Sequence, residues 1–171
     1  GRQARAVLHL PSSFWVPLDL NYDAVGQQLL WCDGAGQNRL MHGSLHPQSV
    51  QTTLLTNGPV RGPGFDALGR LFYTEGNTVR RANANGTGAV VLFTAQQIYP
   101  IGCPLVDATN GHVYVGADNC IVRFDLNGGN QCTVITGLGQ ARAIALDVAR
   151  GFVYWIDAQP ATDHVARARL D

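Results

Sequence analysis

Apolar residues recur along this chain in short alternating runs, and no window sustains the three-and-four spacing of an amphipathic helix. The stretch "ARAIALDVARGFVYWID" (141–157) shows the unit. Ala143 to Asp147 alternates like a half-buried strand, and Val148–Gly151 breaks the run and ends in glycine. Phe152–Ile156 is a second strand of β-branched and aromatic residues. The pattern predicts a hairpin.

The hairpin is repeated. "VPLDLNYDAVGQQLLWCD" (16–33), "GPGFDALGRLFYTE" (62–75) and "GCPLVDATNGHVYVGAD" (102–118) share its grammar. First strands are expected to end at Asp19, Asp66, Asp107 and Asp147. Second strands place Leu30, Phe72, Tyr114 and Tyr154 at one position, 42, 42 and 40 residues apart. A third strand then aligns His42, Arg81, Arg123 and Arg167, and a fourth holds the apolar pairs Leu54-Leu55, Leu92-Phe93 and Val134-Ile135. The last repeat stops at Asp171, before its glycine turn and fourth strand. The chain opens "GRQARAVLHL", with Gly1 where Gly86 and Gly128 sit and Val7-Leu8 at the offset of the missing pair.

Joined head to tail, the termini complete one repeat. The pattern predicts an all-β fold, a β-propeller of four four-stranded blades of about 43 residues whose N-terminal strand completes the last blade. One domain, 1–171, is expected, with repeats at about 12–56, 57–94, 95–136, and 137–171 plus 1–11.

Formal net charge is +0, and all 12 basic residues are Arg, dispersed without a basic run. That excludes the electrostatic footprint of a nucleic-acid or anionic-membrane partner. No apolar run nears the roughly 20 residues that span a bilayer, so membrane insertion is not expected. No signal-peptide pattern opens the chain, and a targeting segment would have preceded residue 1.

Cys120 and Cys132 flank the 126–130 turn, which predicts a cross-strand disulfide and an oxidising compartment; the alternative is four buried thiols. Cys32 and Cys103 belong to the first and third repeats and are not expected to meet. No CxxC occurs, which argues against structural zinc. Asn85-Gly86-Thr87 is a glycosylation sequon in a predicted turn. With the cysteine pair, it points to an extracellular or secretory-pathway protein.

"AIALDVARGFVYWIDAQPATDHVARARLD" resembles a class B repeat of the low-density-lipoprotein receptor, the YWTD repeat, through Leu146-Asp147, Tyr154-Trp155-Ile156-Asp157, Arg167 and Leu170-Asp171. The other repeats match more weakly, through Leu30-Trp31-Cys32-Asp33, Phe72-Tyr73-Thr74-Glu75 and Tyr114-Val115-Gly116-Ala117, and NHL-type propellers share much of this grammar. The resemblance implies that the tetrad is structural. Tyr154 and Trp155 would fill the space between blades, and Asp33, Glu75 and Asp157 would end strands by meeting amides or an Arg. Arg81, Arg123 and Arg167 are the expected partners. Propellers of that family usually have six blades, whereas four repeats stand here, so a longer array or a ring of two chains remains open.

Asp19, Asp66, Asp107 and Asp147 could ring one end of a central channel and hold structural Ca²⁺, or each could cap its own turn. No other cofactor is implied. GxSxG, HExxH, P-loop and Rossmann motifs are absent, and the five His are scattered over all repeats. A binding face is better supported. Loops entering first strands and joining second to third strands share one face, and they carry Phe14, Trp15, Tyr99, Gln159 and His164. Aromatics beside amides suit a protein interface or sugar stacking, although Trp15 could equally plug the core. Three functions compete. The first is a non-catalytic extracellular recognition or adhesion module for a protein or glycan. The second is a structural subunit self-associating by donation of the N-terminal strand. The third is a lactonase- or lyase-like enzyme using Glu75 or an axial Asp.

Overall fold

Alternating runs become strands wherever a glycine or an Asp-led turn lets the chain reverse. The structure, a computed structural model, describes residues 17–23, 26–33, 39–44, 52–55, 58–96, 101–117, 119–139, 141–158 and 164–170. Among the described residues there are fifteen strands and no helix, in four antiparallel sheets. The first sheet orders β1 (Pro17–Asp23), β2 (Gln28–Asp33), β3 (Arg39–Ser44) and β4 (Thr52–Leu55). The second holds β5 (Val60–Phe65), β6 (Leu71–Glu75), β7 (Thr78–Ala82) and β8 (Val90–Thr94). The third holds β9 (Leu105–Asp107), β10 (His112–Ala117), β11 (Cys120–Asp125) and β12 (Cys132–Ile135). The fourth has β13 (Ala141–Asp147), β14 (Phe152–Asp157) and β15 (His164–Arg169). Each sheet is a meander of consecutive strands.

The register agrees with the repeat alignment. Leu30 pairs with His42, Phe72 with Arg81, Tyr114 with Arg123 and Tyr154 with Arg167. One member of each apolar pair on the fourth strands lies opposite Leu40, Val79 or Ile121. The repeat in sequence is therefore a repeat in hydrogen bonding.

Side chains alternate across each strand, so a sheet between two others must be apolar on both faces. On β6, Leu71 and Tyr73 pack towards the first sheet with Leu30, Leu40 and Val60, while Phe72 packs towards the third. On β10, Val113 and Val115 meet Phe72 and Leu92 of the second sheet, whereas Tyr114 between them joins Val153 and Trp155 of the fourth. Phe93 stacks on Phe124 at 5.5 Å between ring centroids, across the same second–third interface. Trp155 packs between the third and fourth sheets, while Tyr154, on the opposite face, is half-buried. The outer part of the fourth sheet is wetter: Ile156 is 39% exposed and Val165 on β15 is 75% exposed.

Candidate functional site

The first strands of successive sheets, β1, β5, β9 and β13, contact one another in that order. Antiparallel meanders direct all four the same way, and their final residues line one cavity of about 510 Å³ to which every sheet contributes. Its wall is largely apolar, through Leu30, Phe65, Leu105, Val106 and Leu146. Two of its polar members hold protein partners. Asn21 Nδ2 donates to the Pro63 carbonyl at 3.0 Å, and Asp23 Oδ2 accepts from the Gln28 amide at 3.0 Å. A space of this size and lining suits a small, mostly apolar molecule.

Asp66, Asp107 and Asp147 close the first strands by capping turns. Asp66 accepts from the amides of Leu68 (3.0 Å) and Arg70 (2.9 Å), and its second oxygen takes Arg70 Nε at 2.6 Å. Asp107 accepts from the amides of Thr109 and Asn110, both at 3.1 Å, and from the Asn110 side chain at 2.7 Å. Asp147 takes the Arg150 amide at 3.1 Å and its guanidinium at 3.0 Å. These are Asx-type turns, with the carboxylate substituting for a backbone acceptor. Among the described residues no three His, Cys, Asp or Glu come together as a metal-ligating group.

Asp19 does not belong with them. β1 runs on to Asp23, whose backbone pairs with Gln28, and Asp23 is the turn residue of the first sheet. The expectation counted Asp19 as the strand's end because a bulge interrupts the alternation there, shifting the register between Leu18 and Asn21. Similar bulges interrupt β5 and β13, and Asp19, Gly62 and Ala143 take positive φ angles of 51°, 55° and 38° at them. Counting back from the second-strand position would have found Asp23, since Asp107 and Asp147 precede Tyr114 and Tyr154 by the interval that separates Asp23 from Leu30.

Asp19 instead reaches a cluster at the opposite end of the inner strands. Its carboxylate accepts from the Gly62 amide at 3.4 Å and stands 3.9 Å from Arg61 Nη1. The Cys103 thiol donates to it. Burial, then the charge of Asp19, pushes the Cys32 thiol up to about 12 and Cys103 up to about 11. Cys32 and Cys103, expected on opposite sides of the molecule, share this cluster. The Cys120–Cys132 expectation is corrected in the same way. Cys120 and Cys132 are both described, and no bond joins them. The two do not flank the turn evenly: Cys132 pairs with Arg123, and Cys120 pairs with Ala117 of β10.

The acids that end second strands are paired, but not with the expected arginines. Buried Asp33 binds Arg39 through Nη2 at 2.6 Å and Nε at 3.2 Å, and Glu75 binds Arg80 at 2.6 Å. Asp157 accepts the Gly139 amide at 2.9 Å and lies 3.9 Å from His164 Nε2. Asp33 and Asp157 meet their register partners at the start of the next strand. Arg81 lies three residues beyond Thr78, the partner of Glu75, which is roughly 10 Å further along and on the other face. There it donates to the Leu126 carbonyl at 2.9 Å and to Asn127 in the third sheet's turn. Arg123 lies beside the Tyr114 hydroxyl, and Arg167 lies over the Phe152 ring at 4.8 Å. Arg39, Arg61 and Arg80 carried no repeat-aligned signal.

Of the binding-face candidates, His164 is described and is about half exposed, with a side-chain exposure of 52%. Phe14, Trp15, Tyr99 and Gln159, and the N-terminal strand expected to complete the last blade, lie outside the described residues. Asn85 is exposed in a turn, where its Oδ1 accepts from the Thr87 amide at 3.1 Å and hydroxyl at 2.7 Å. Among the described residues no helix is long and apolar enough to cross a membrane.

No protein-family profile and no curated protein sequence matches the chain. Solved structures do. A chain of the nidogen/laminin complex superimposes with a TM-score of 0.78 at 25% identity, over 94% of this chain and 67% of that one. A gluconolactonase from Xanthomonas campestris superimposes at 0.72 with 15% identity, over 91% of this chain and 58% of that one. A computationally designed protein superimposes at 0.68 with 13% identity, over 99% of this chain and 100% of that one. The first is a YWTD propeller, and the gluconolactonase is also a propeller. The fold of this chain is a β-propeller.

Proposed function

We propose that this chain is a non-catalytic extracellular recognition module that binds a protein partner through its loop-bearing face. The observation that carries this reading is the 25% identical match to a propeller from a protein–protein complex, that of nidogen with laminin. The site chemistry supports it. The acids of the described inner turns cap their own amides, and those closing second strands hold cations or amides, so these carboxylates have structural work. Phe14, Trp15, Tyr99, Gln159 and His164 are the residues assigned to the face, with glycan stacking as the alternative ligand mode. Blade closure by residues 1–10, either of the same chain or of a neighbour, belongs to this proposal; the three described strands of the fourth sheet support it.

The gluconolactonase match favours a second reading, a lactone hydrolase, on likeness of fold alone. One experiment separates the two. Immobilised chain and its Trp15→Ala variant are passed over arrays of extracellular-matrix proteins and glycans, and the same preparations are assayed on δ-gluconolactone with Ca²⁺ or Zn²⁺. Saturable binding weakened by Trp15→Ala, without turnover, upholds recognition. Metal-dependent turnover without binding overturns it in favour of the enzyme.

A further inference from the structure

Cys32 is the penultimate residue of β2 in the first sheet, and Cys103 lies two residues before β9 of the third, with Pro104 between. Both lie against Gly62 of the second sheet. A Cβ there would lie 2.3 Å from Cys103 Cβ and 2.8 Å from its Sγ, so the missing side chain is what admits Cys103. The Gly62 amide, whose N–H also donates to Asp19 at 3.4 Å, faces the Cys32 sulfur. One residue without a side chain therefore has both sulfurs against it, where the inner strands begin.

We propose that Cys32 and Cys103 form an intramolecular disulfide that ties the first sheet to the third across the start of the inner strands. The oxidant is a small-molecule disulfide such as oxidised glutathione. One cysteine thiolate attacks it, forming a mixed disulfide and releasing one glutathione thiol. The second cysteine thiolate then attacks the cysteine sulfur of that mixed disulfide and displaces the other glutathione thiol. Two protein thiols lose their protons and two electrons, and the glutathione S–S bond is reduced. Thiolate is scarce once these groups are buried, so the bridge forms during folding, while both sulfurs are accessible. Cys32 is 1% exposed, which shields the finished bond from exchange. It closes the long loop from 32 to 103, the kind of cross-link that constrains an unfolded chain most.

The test uses the full chain carrying Cys120→Ser and Cys132→Ser, refolded in a glutathione redox buffer and alkylated in denaturant. Expected are a mass lower by about 2 Da with no alkylation, and a thermal midpoint about 5–10 °C above the dithiothreitol-treated sample. Adding Cys103→Ser abolishes that difference. Two alkylated thiols, a stable glutathione adduct or a disulfide-linked dimer overturns the proposal. Should the double variant not refold, wild-type chain is mapped by proteolysis after the same treatment. A 32–103 cross-linked peptide upholds the bridge, and alkylated Cys32 or a 120–132 cross-link overturns it.

Discussion

At Gly62 the backbone is left-handed, with φ of +55°, and a Cβ would press on the Cys103 main chain at 2.7 Å from its Cα. Gly69 is also left-handed, φ +72°, with nothing within 4 Å of its Cβ position. The pair separates conformational strain from crowding. Gly69→Ala is expected to cost about 1 kcal/mol, the penalty of left-handed backbone alone. Gly62→Ala should cost about 2–4 kcal/mol, because backbone there must also move. Urea unfolding of both variants checks this, and equal losses would show that the contact with Cys103 carries no energy.

His42 offers a second test at this scale. Burial holds its imidazole below the usual value of 6.5, with Nδ1 2.8 Å from Gln28 Oε1 and Asp23 behind that amide. Folded protein then binds this proton less readily than unfolded chain. Its contribution to stability is complete above the unfolded value and is lost as pH falls through it towards the lower folded value. Between about pH 7.5 and about pH 5.5 the wild type should lose stability relative to His42→Gln. Parallel curves for the two proteins would remove His42 from the acid response.

Among elements, the joint between the second and third sheets carries a polar clasp. Arg81 on β7 reaches the 126–127 turn, Gln131 Nε2 donates back to the Leu92 carbonyl at 3.2 Å, and Phe93 stacks on Phe124 beneath. Arg81→Ala should cost about 1–3 kcal/mol, the range for hydrogen bonds from a charged donor, and speed amide exchange across residues 126–131. Unchanged exchange there would mean that apolar packing alone fixes the turn. Strand register was legible because Leu30, Phe72, Tyr114 and Tyr154 are buried or half-buried anchors, and a slip by one residue would turn each strand inside out. Asp19 was misplaced because the bulge beside it breaks the alternation before the strand ends at Asp23. The arginines were misassigned because spacing fixes the position of Arg81 along β7 but not which neighbouring sheet its long side chain will reach. The Cys32–Cys103 cluster was invisible for a related reason. Proximity across inner strands depends on how four sheets converge, and no local pattern encodes that.

For the whole molecule, three apolar layers join four sheets in succession, and the fourth sheet ends, among the described residues, at β15. Val165 and Ile156 pair across β15 and β14 and remain exposed there. A strand edge with apolar neighbours is a template for another strand, and the proposed closure gives that place to residues 1–10. Removing residues 1–10 should then lower the thermal midpoint, broaden unfolding and promote aggregation, whereas a truncated chain melting like the parent would dismiss the assignment. The same pairing can be made within a chain or between chains, and mass distinguishes the two. Light scattering behind size exclusion should give a single-chain mass if the strand closes its own ring. A doubled mass would mean exchange between two copies, and an open-ended series would mean head-to-tail donation, which makes the chain a building block of a filament rather than a free recognition module.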